Sequence, residues 1–337
     1  MKLVFVTQEV DPASPVLGAT VAKLRALAAR VDEVVVLADR AVPEALPENC
    51  RVHLFRSRWK GGRGLRFEAA LARELRPRPA AVVAHMCPIY AVLAAPVARP
   101  LGVRVLLWFT HWKASRLLRL AERASTAVAT VEPRSFPLPS AKVHAIGHGI
   151  NVAEFHCADR SSRNGFQLLS LARTSPAKGL ETVVRGVALV PHVHLVQHGP
   201  SLTEEERRHR GELESLVAEL GVGDRVEIGD PVPRGAVPAL LGGADALVNN
   251  MRAGATDKAV YEAAAACLPV LASNPALDGF LPDGMRFERD DPETLAVRLR
   301  ELARADRAAL GRELRARVER EHSVENWADR IVELARG

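Results

Sequence analysis

Arg173 and Lys178 stand five residues apart in the stretch Arg173-Thr174-Ser175-Pro176-Ala177-Lys178-Gly179. An apolar run at 166–172 precedes them and a helical pattern follows, which puts both cations on a strand-to-helix loop. A guanidinium can grip two oxygens in a fork, an ammonium adds a point charge, and a helix start adds backbone N–H donors. Together these suit a diphosphate. Taken alone, the same pair is also what an ordinary solvated loop carries. A second stretch, Gly254-Ala255-Thr256-Asp257-Lys258-Ala259-Val260-Tyr261-Glu262-Ala263-Ala264-Ala265, runs from small residues into an Ala-rich helix. Amides at Ala255, Thr256 and Asp257 would be open to phosphate or sugar hydroxyls. Glu262 is an acid among alanines, so it either faces solvent or binds hydroxyls.

Positioning such loops takes strands that end beside one another. Short apolar runs alternate with helical patterns along the whole chain. Strands are expected at 3–7, 33–37, 81–84, 103–109, 127–130 and 143–146, with helices at 19–30, 65–75, 90–98 and 114–124. After the polar stretch 158–165 the pattern restarts. Strands follow at 166–172, 192–197, 226–228, 246–248 and 270–272, and helices at 180–189, 204–220 and 258–266. A last helix is expected at 324–335. Such alternation implies α/β architecture with parallel sheets covered on both faces. The expectation is two doubly wound, Rossmann-like domains, residues 1–158 and 159–322, facing across a cleft lined by the carboxyl ends of their strands.

Composition narrows the class. The 337 residues are 48% hydrophobic and 26% charged, the profile of a soluble globular protein rather than a disordered or membrane-spanning one. The longest apolar stretch, 80–98, holds His85, Pro88 and Pro96 and reads as a strand then a helix. The net charge of +6 is modest, its arginines are scattered, and no nucleic-acid partner is expected. One basic loop, from Arg56-Ser57-Arg58-Trp59 to Arg66, is either a solvated surface or a peripheral membrane contact. Cys50, Cys87, Cys157 and Cys267 show no C-x-x-C spacing and no nearby His cluster. No disulfide framework and no metal site is therefore expected. A reducing cytoplasm fits, with peripheral attachment at the inner face of the membrane as the variant of that reading.

The second half resembles family 4 of the retaining glycosyltransferases, which have the GT-B fold. The resemblance rests on Arg173 and Lys178, on His198-Gly199-Pro200, on the stretch from Val232-Pro233 to Leu240, and on the loop and helix ending at Glu262. It implies that Arg173 and Lys178 hold the donor diphosphate and that Glu262 binds the nucleotide ribose. The family's Glu-x7-Glu begins here with Gly254 in place of Glu. The chain looks instead like a bacterial subgroup reading Asp-Lys-x-x-x-Glu, matched by Asp257, Lys258 and Glu262. Amides of Ala255, Thr256 and Asp257, with the side chains of Asp257 or Lys258, then meet the sugar.

The first half resembles the same subgroup at Pro15-Val16-Leu17-Gly18, where Gly18 would let a helix start approach the donor. Further matches are His85-Met86-Cys87-Pro88, Leu107-Trp108-Phe109-Thr110-His111 and Gly147-His148-Gly149-Ile150. The resemblance makes His111 a catalytic residue beside the transferred sugar, and sends residues 323–337 back onto the first domain. The implied reaction moves a sugar from a nucleoside-diphosphate sugar, its base (UDP, GDP or another) unread, to an acceptor hydroxyl on a saccharide, lipid-linked or small molecule. Configuration would be retained, with no metal and no cofactor, since cations and amides stabilise the leaving diphosphate. Two alternatives stay open: another sugar-nucleotide enzyme on the same fold, such as an epimerase, or a non-catalytic nucleotide-sugar-binding module, which Gly254 motivates.

Overall fold

The structure is a computed structural model that describes residues 1–14, 17–159 and 165–337. The chain divides into two compact units, one made of Met1–Asn151 with Glu321–Gly337, the other of Val152–Arg320. The first unit contains β1 (Lys2–Val10), α1 (Thr20–Ala28), β2 (Glu33–Ala41), β3 (Cys50–Leu54), α2 (Lys60–Glu74), β4 (Ala81–His85), α3 (Pro88–Ala98), β5 (Arg104–Trp108), α4 (Arg116–Ala124), β6 (Ala127–Thr130) and β7 (Val143–Ala145). The second contains β8 (Phe166–Leu171), α5 (Leu180–Ala188), β9 (Val193–His198), α6 (Glu204–Glu219), β10 (Val226–Gly229), α7 (Val237–Gly243), β11 (Ala246–Asn249), α8 (Lys258–Ala265), β12 (Val270–Ala272), α9 (Pro292–Arg304) and α10 (Arg307–Arg317). A final helix, α11 (Val324–Arg336), belongs to the first unit.

Each unit is a wholly parallel sheet. The first runs β3-β2-β1-β4-β5-β6-β7 and the second β10-β9-β8-β11-β12. Central strands such as Leu3-Val4-Phe5-Val6 and Val34-Val35-Val36-Leu37 are fully buried because helices cover both faces. In both sheets the strand order reverses once, between β1 and β4 and between β8 and β11. These reversals matter for function, since the helices on either side diverge there and leave a crevice at the carboxyl ends of the strands.

The terminal segment joins the first unit through specific bonds. Ser323 caps α11 by accepting from the Asn326 amide, and the Val324 amide donates to the Ile150 carbonyl at 2.8 Å. Trp327 is wholly buried, and Arg30 grips Asp329 with two bonds of 2.6 and 3.0 Å. Residues 152–158 pack with the second unit, where Arg315 donates to the Phe155 carbonyl at 2.9 Å. The polar stretch expected to separate the domains lies largely outside the described residues, at 160–164.

The cysteine expectation is corrected here. Cys157 and Cys267 form a disulfide, with Cα atoms 4.9 Å apart across 110 residues of sequence. Cys50 and Cys87 are free thiols. Nothing in the spacing of the four residues marks this pair; the fold brings them together by laying the segment after Phe155 against the end of α8. The argument from unpaired cysteines to a reducing compartment therefore falls. Among the described residues no helix is long and apolar enough to cross a membrane.

Candidate functional site

The reversal between β8 and β11 is where the charged residues gather. The loop after β8 carries Arg173 and Lys178, and the loop after β11 carries Gly254 to Asp257 and leads into α8. The two loops are sewn together. The Arg252 amide donates to the Ala177 carbonyl at 3.0 Å, and Asn250 Nδ2 to the Gly179 carbonyl at 2.8 Å. Ser273 Oγ holds the Asn250 amide group from below at 2.7 Å. Gly179 adopts φ 54° as it caps α5, and a Cβ there would strike Asn250, so the approach of the two loops requires glycine at that position.

Both expected phosphate cations have carboxylate partners. Arg173 Nη1 lies 2.9 Å from Glu206 Oε1. Glu206 is the N3 residue of a capping box on α6. Its Oε2 accepts from the Leu202 amide at 2.6 Å and the Thr203 amide at 3.3 Å, while Thr203 Oγ1 accepts from the Glu206 amide. A nearly buried acid thus holds one edge of a guanidinium that remains 48% exposed. Lys178 Nζ pairs with Asp257 Oδ2, which also accepts from Asn249 Nδ2 at 3.2 Å. Burial pushes the Asp257 carboxyl up. The charge and hydrogen bond of Lys178, the Asn249 amide and the charge of Lys258 outweigh it and leave the group below the usual carboxylate range.

Glu262 is 4% exposed, so of the two sequence readings the solvent-facing one is excluded. Its Oε1 lies 2.9 Å from Arg234 Nη1 and 3.1 Å from Lys258 Nζ. The Arg234 contact is off the direction of a good hydrogen bond, which leaves both atoms short of a directed partner and makes the attraction mainly coulombic. Arg234 in turn donates to Glu154 Oε2 at 2.8 Å. At the start of α8 the amides of Ala255, Thr256 and Asp257 donate to nothing among the described residues, and the Thr256 hydroxyl is buried without a partner. A helix entrance with orphan N–H donors, an orphan hydroxyl and two nearby cations is chemically complementary to an anion bearing hydroxyls.

Within the second unit the structure pairs Lys178 with Asp257 across the two loops, Lys258 and Arg234 with Glu262 on α8, and Arg173 with Glu206 on α6. His111 and Gly18 lie in the first unit. His111 is exposed on the loop after β5, where its Nδ1 accepts from the Lys113 amide at 3.0 Å and its ring stacks on Trp112. Gly18 sits on the loop before α1, where a Cβ would meet the Ser14 carbonyl oxygen at 2.7 Å. Of the other histidines singled out, His85 is a buried core group. Its ring stacks on Trp108 with centroids 4.9 Å apart, and its Nδ1 lies 3.5 Å from Thr7 Oγ1. Burial, then the positive charge of Lys23, hold its pKa well below the usual histidine value.

Sequence reasoning missed Glu206, Arg234 and Glu154. Thr203-x-x-Glu206 is a readable capping box before a charged helix, but nothing in it says that its acid also holds Arg173. The Arg234–Glu262 contact joins residues 28 positions apart and has no local signature.

Residues 154–307 match the family model described as "Glycosyl transferases group 1". Against curated proteins the sequence has no significant match. Among solved structures, a sucrose-phosphate synthase from Thermosynechococcus elongatus superposes with a TM-score of 0.80 at 18% identity, covering 100% of this chain and 98% of that one. HepE from Anabaena, solved in complex with UDP-glucose, gives 0.79 at 17% identity, covering 99% of each chain. A glycosyltransferase from Rickettsia africae gives 0.79 at 14% identity, covering 99% of this chain and 97% of that one. At these identities the likeness establishes the fold, which is the two-domain α/β architecture of the GT-B glycosyltransferases.

Proposed function

We propose that the chain is a glycosyltransferase that moves a sugar from a nucleoside-diphosphate sugar to an acceptor hydroxyl, with retention of configuration and without a metal. The observation that carries the reading is the turn between β11 and α8, where Lys178 pairs with Asp257 beside a helix entrance whose amides and Thr256 hydroxyl lack partners, with Arg173 on the same loop as Lys178. Its position within the stretch matched by the glycosyltransferase family model supports the same reading.

In this reading Arg173 and Lys178 take the diphosphate, and Glu262 takes the ribose hydroxyls. As the sugar–phosphate bond breaks, charge grows on the departing oxygen. Two cations and a set of fixed amides stabilise that charge without having to reorganise. The departing phosphate oxygen then accepts the proton of the attacking hydroxyl on the same face of the sugar, so no carboxylate nucleophile is required. Glu206 and Asp257 keep the cations in place. The family resemblance adds His111 beside the transferred sugar and Gly18 at the donor.

A thermal-shift screen of UDP, GDP and their sugar conjugates tests the donor site, because a ligand that binds only the native state raises the melting temperature. Arg173→Ala is expected to abolish the shift given by the best nucleotide; an unchanged shift would overturn the site. One observation favours a second reading. Gly254, at φ 117°, stands where the resembled family has its first Glu, which fits a binding module without turnover. Release of nucleoside diphosphate over many turnovers with any acceptor would exclude that module.

A further inference from the structure

A basic cavity lies in the first unit, away from the charged loops of the second. It has a volume of about 720 Å³ and opens at the carboxyl ends of β2 and β3, the side of a parallel sheet on which ligands bind. Its walls come from the end of β2, from the loop between β3 and α2, and from the first two turns of α2. Five arginines line it. Two are matched by acids: Arg63 Nε lies 3.5 Å from Asp39 Oδ1, and Arg40 Nη2 3.1 Å from Glu9 Oε1. The other three, Arg56, Arg58 and Arg66, are exposed and have no carboxylate within ion-pair distance among the described residues. Arg66 donates through Nη1 to the Arg56 backbone carbonyl, which fixes the Arg66 guanidinium against the loop that carries Arg56.

Trp59 completes the cavity and gives it a second chemistry. Its indole lies across the glycines that open α2: a Cβ on Gly62 would meet the ring at 2.8 Å, and one on Gly61 would overlap it. The two glycines make a flat seat for one face of the ring. Trp59 is nevertheless 64% exposed, so its other face is open to a ligand. A flat aromatic surface of this kind packs well on the C–H face of a sugar ring, and guanidinium forks grip a phosphate dianion bidentately.

We propose that this cavity binds a phosphomonoester carried on a sugar ring, with the phosphate on Arg56, Arg58 and Arg66 and the ring on Trp59. If the chain is a transferase, this ester is its acceptor. That role rests on the function proposed above; the binding does not.

Isothermal titration of the whole chain with glucose 6-phosphate, glucose and inorganic phosphate at about 0.1 M salt tests it, since exposed charges still act at that ionic strength over about 10 Å. Glucose 6-phosphate is expected to bind saturably, inorganic phosphate more weakly, and glucose not at all. Arg58→Ala should weaken the ester about tenfold or more, with partial recovery in Arg58→Lys, whose point charge lacks the fork. Trp59→Ala should weaken the ester but leave inorganic phosphate unchanged. Co-sedimentation with vesicles containing phosphatidic acid separates the sources. Vesicle binding lost in Arg58→Ala, with no binding of the free ester, would assign the phosphate to a lipid headgroup and overturn the sugar-ring proposal. No binding in either arm, or equal binding by Arg58→Ala and the parent, overturns the proposal. In the same samples the nucleotide-induced thermal shift reports the donor site separately. A retained shift with no ester binding would sink this inference and leave the transferase reading standing.

Discussion

The two strand-order reversals are built on the same plan and furnished differently. At β8 and β11 the crevice holds charges in matched pairs: Arg173 with Glu206, Lys178 with Asp257, Glu262 with Arg234 and Lys258. At β1 and β4 the neighbouring groups are rings. His85 stacks on Trp108, Phe5 lies with its centroid 5.2 Å from His85, and Lys23 Nζ sits 3.7 Å from the Trp108 centroid and 4.9 Å from that of Trp327. The second unit keeps ionic groups charged by pairing them. The first keeps imidazoles neutral by burying them. The difference separates a crevice lined by paired charges from a packed junction that locks the terminal helix to its sheet, and each predicts its own response to mutation and to pH.

The largest expected effect is at Lys178. Lys178→Ala removes the less exposed of the two cations and is expected to lower turnover about 100-fold to 1000-fold, the usual cost of deleting one fixed donor to a developing anion. It also strands Asp257, so steady-state kinetics should be measured beside the double variant Lys178→Ala/Asp257→Asn. If removing the stranded acid restored turnover, Lys178 would be only a counter-ion and the contrast between the crevices would shrink.

Acid should unfold the first unit before the second. Burial holds the His322 imidazole at about 3, even though Glu132 Oε1 lies 3.3 Å from its Nε2; a neutral ring donating its Nε2–H satisfies that contact. His85 is likewise held well down by burial and by the charge of Lys23. Both groups have lowered native values, so the unfolded chain binds protons that the native chain refuses. Their stabilisation is complete above the ordinary histidine value near 6.5 and is lost as pH falls below it; for His322 the loss reaches about 2 kcal/mol at pH 5. Asp257 is also lowered, but from a carboxylate value, so its contribution persists until pH drops below about 4. All four tryptophans, 59, 108, 112 and 327, lie in the first unit. Tryptophan fluorescence in a urea titration at pH 7 and pH 5 therefore reports that unit alone, while circular dichroism reports both. A midpoint seen by fluorescence that does not fall at pH 5 would break the comparison.

Much of this contrast was legible in the sequence on one side only. Arg173 and Lys178 could be singled out because charged residues on strand-to-helix loops stand out against apolar strands, and Glu262 because it is an acid on an Ala-rich helix. The doubly wound sheets followed from Val-rich runs such as 33–37 alternating with helical spacing. The edge strand β3 gave no such signal, since Cys-Arg-Val-His-Leu is half polar and only partly buried. Helix α7 was hidden by its Pro and two Gly, which read as breakers in Val-Pro-Ala-Leu-Leu-Gly-Gly. The disulfide, the Arg234–Glu262 pair and the ring cluster around Trp108 join residues 23 or more positions apart, and only the folded sheet puts them in contact. His85 shows the same limit from the other direction: its position at a strand end was readable, but whether it faced solvent or core was not.

The finest test of the pairing rule is Glu206, whose two oxygens serve different structures. Oε2 closes the α6 capping box, and Oε1 holds Arg173. Glu206→Gln keeps a hydrogen-bonding side chain at N3, where Gln serves as well as Glu, so the helix should lose no more than about 1 kcal/mol in a denaturant titration. The amide carries no charge to attract the guanidinium. If Glu206 only neutralises Arg173, the variant should bind nucleoside diphosphate more tightly, because an opposing acid has gone. If Glu206 positions Arg173, the freed side chain must be ordered anew on each binding event, and affinity should fall about tenfold, an effect of about 1.4 kcal/mol. The paired geometry favours the second outcome, since a nearly buried acid fixed by two backbone amides is a rigid support while the guanidinium it holds keeps about half its surface open to a ligand. Tighter binding by Glu206→Gln would reduce the pairs of the second unit to simple charge balance.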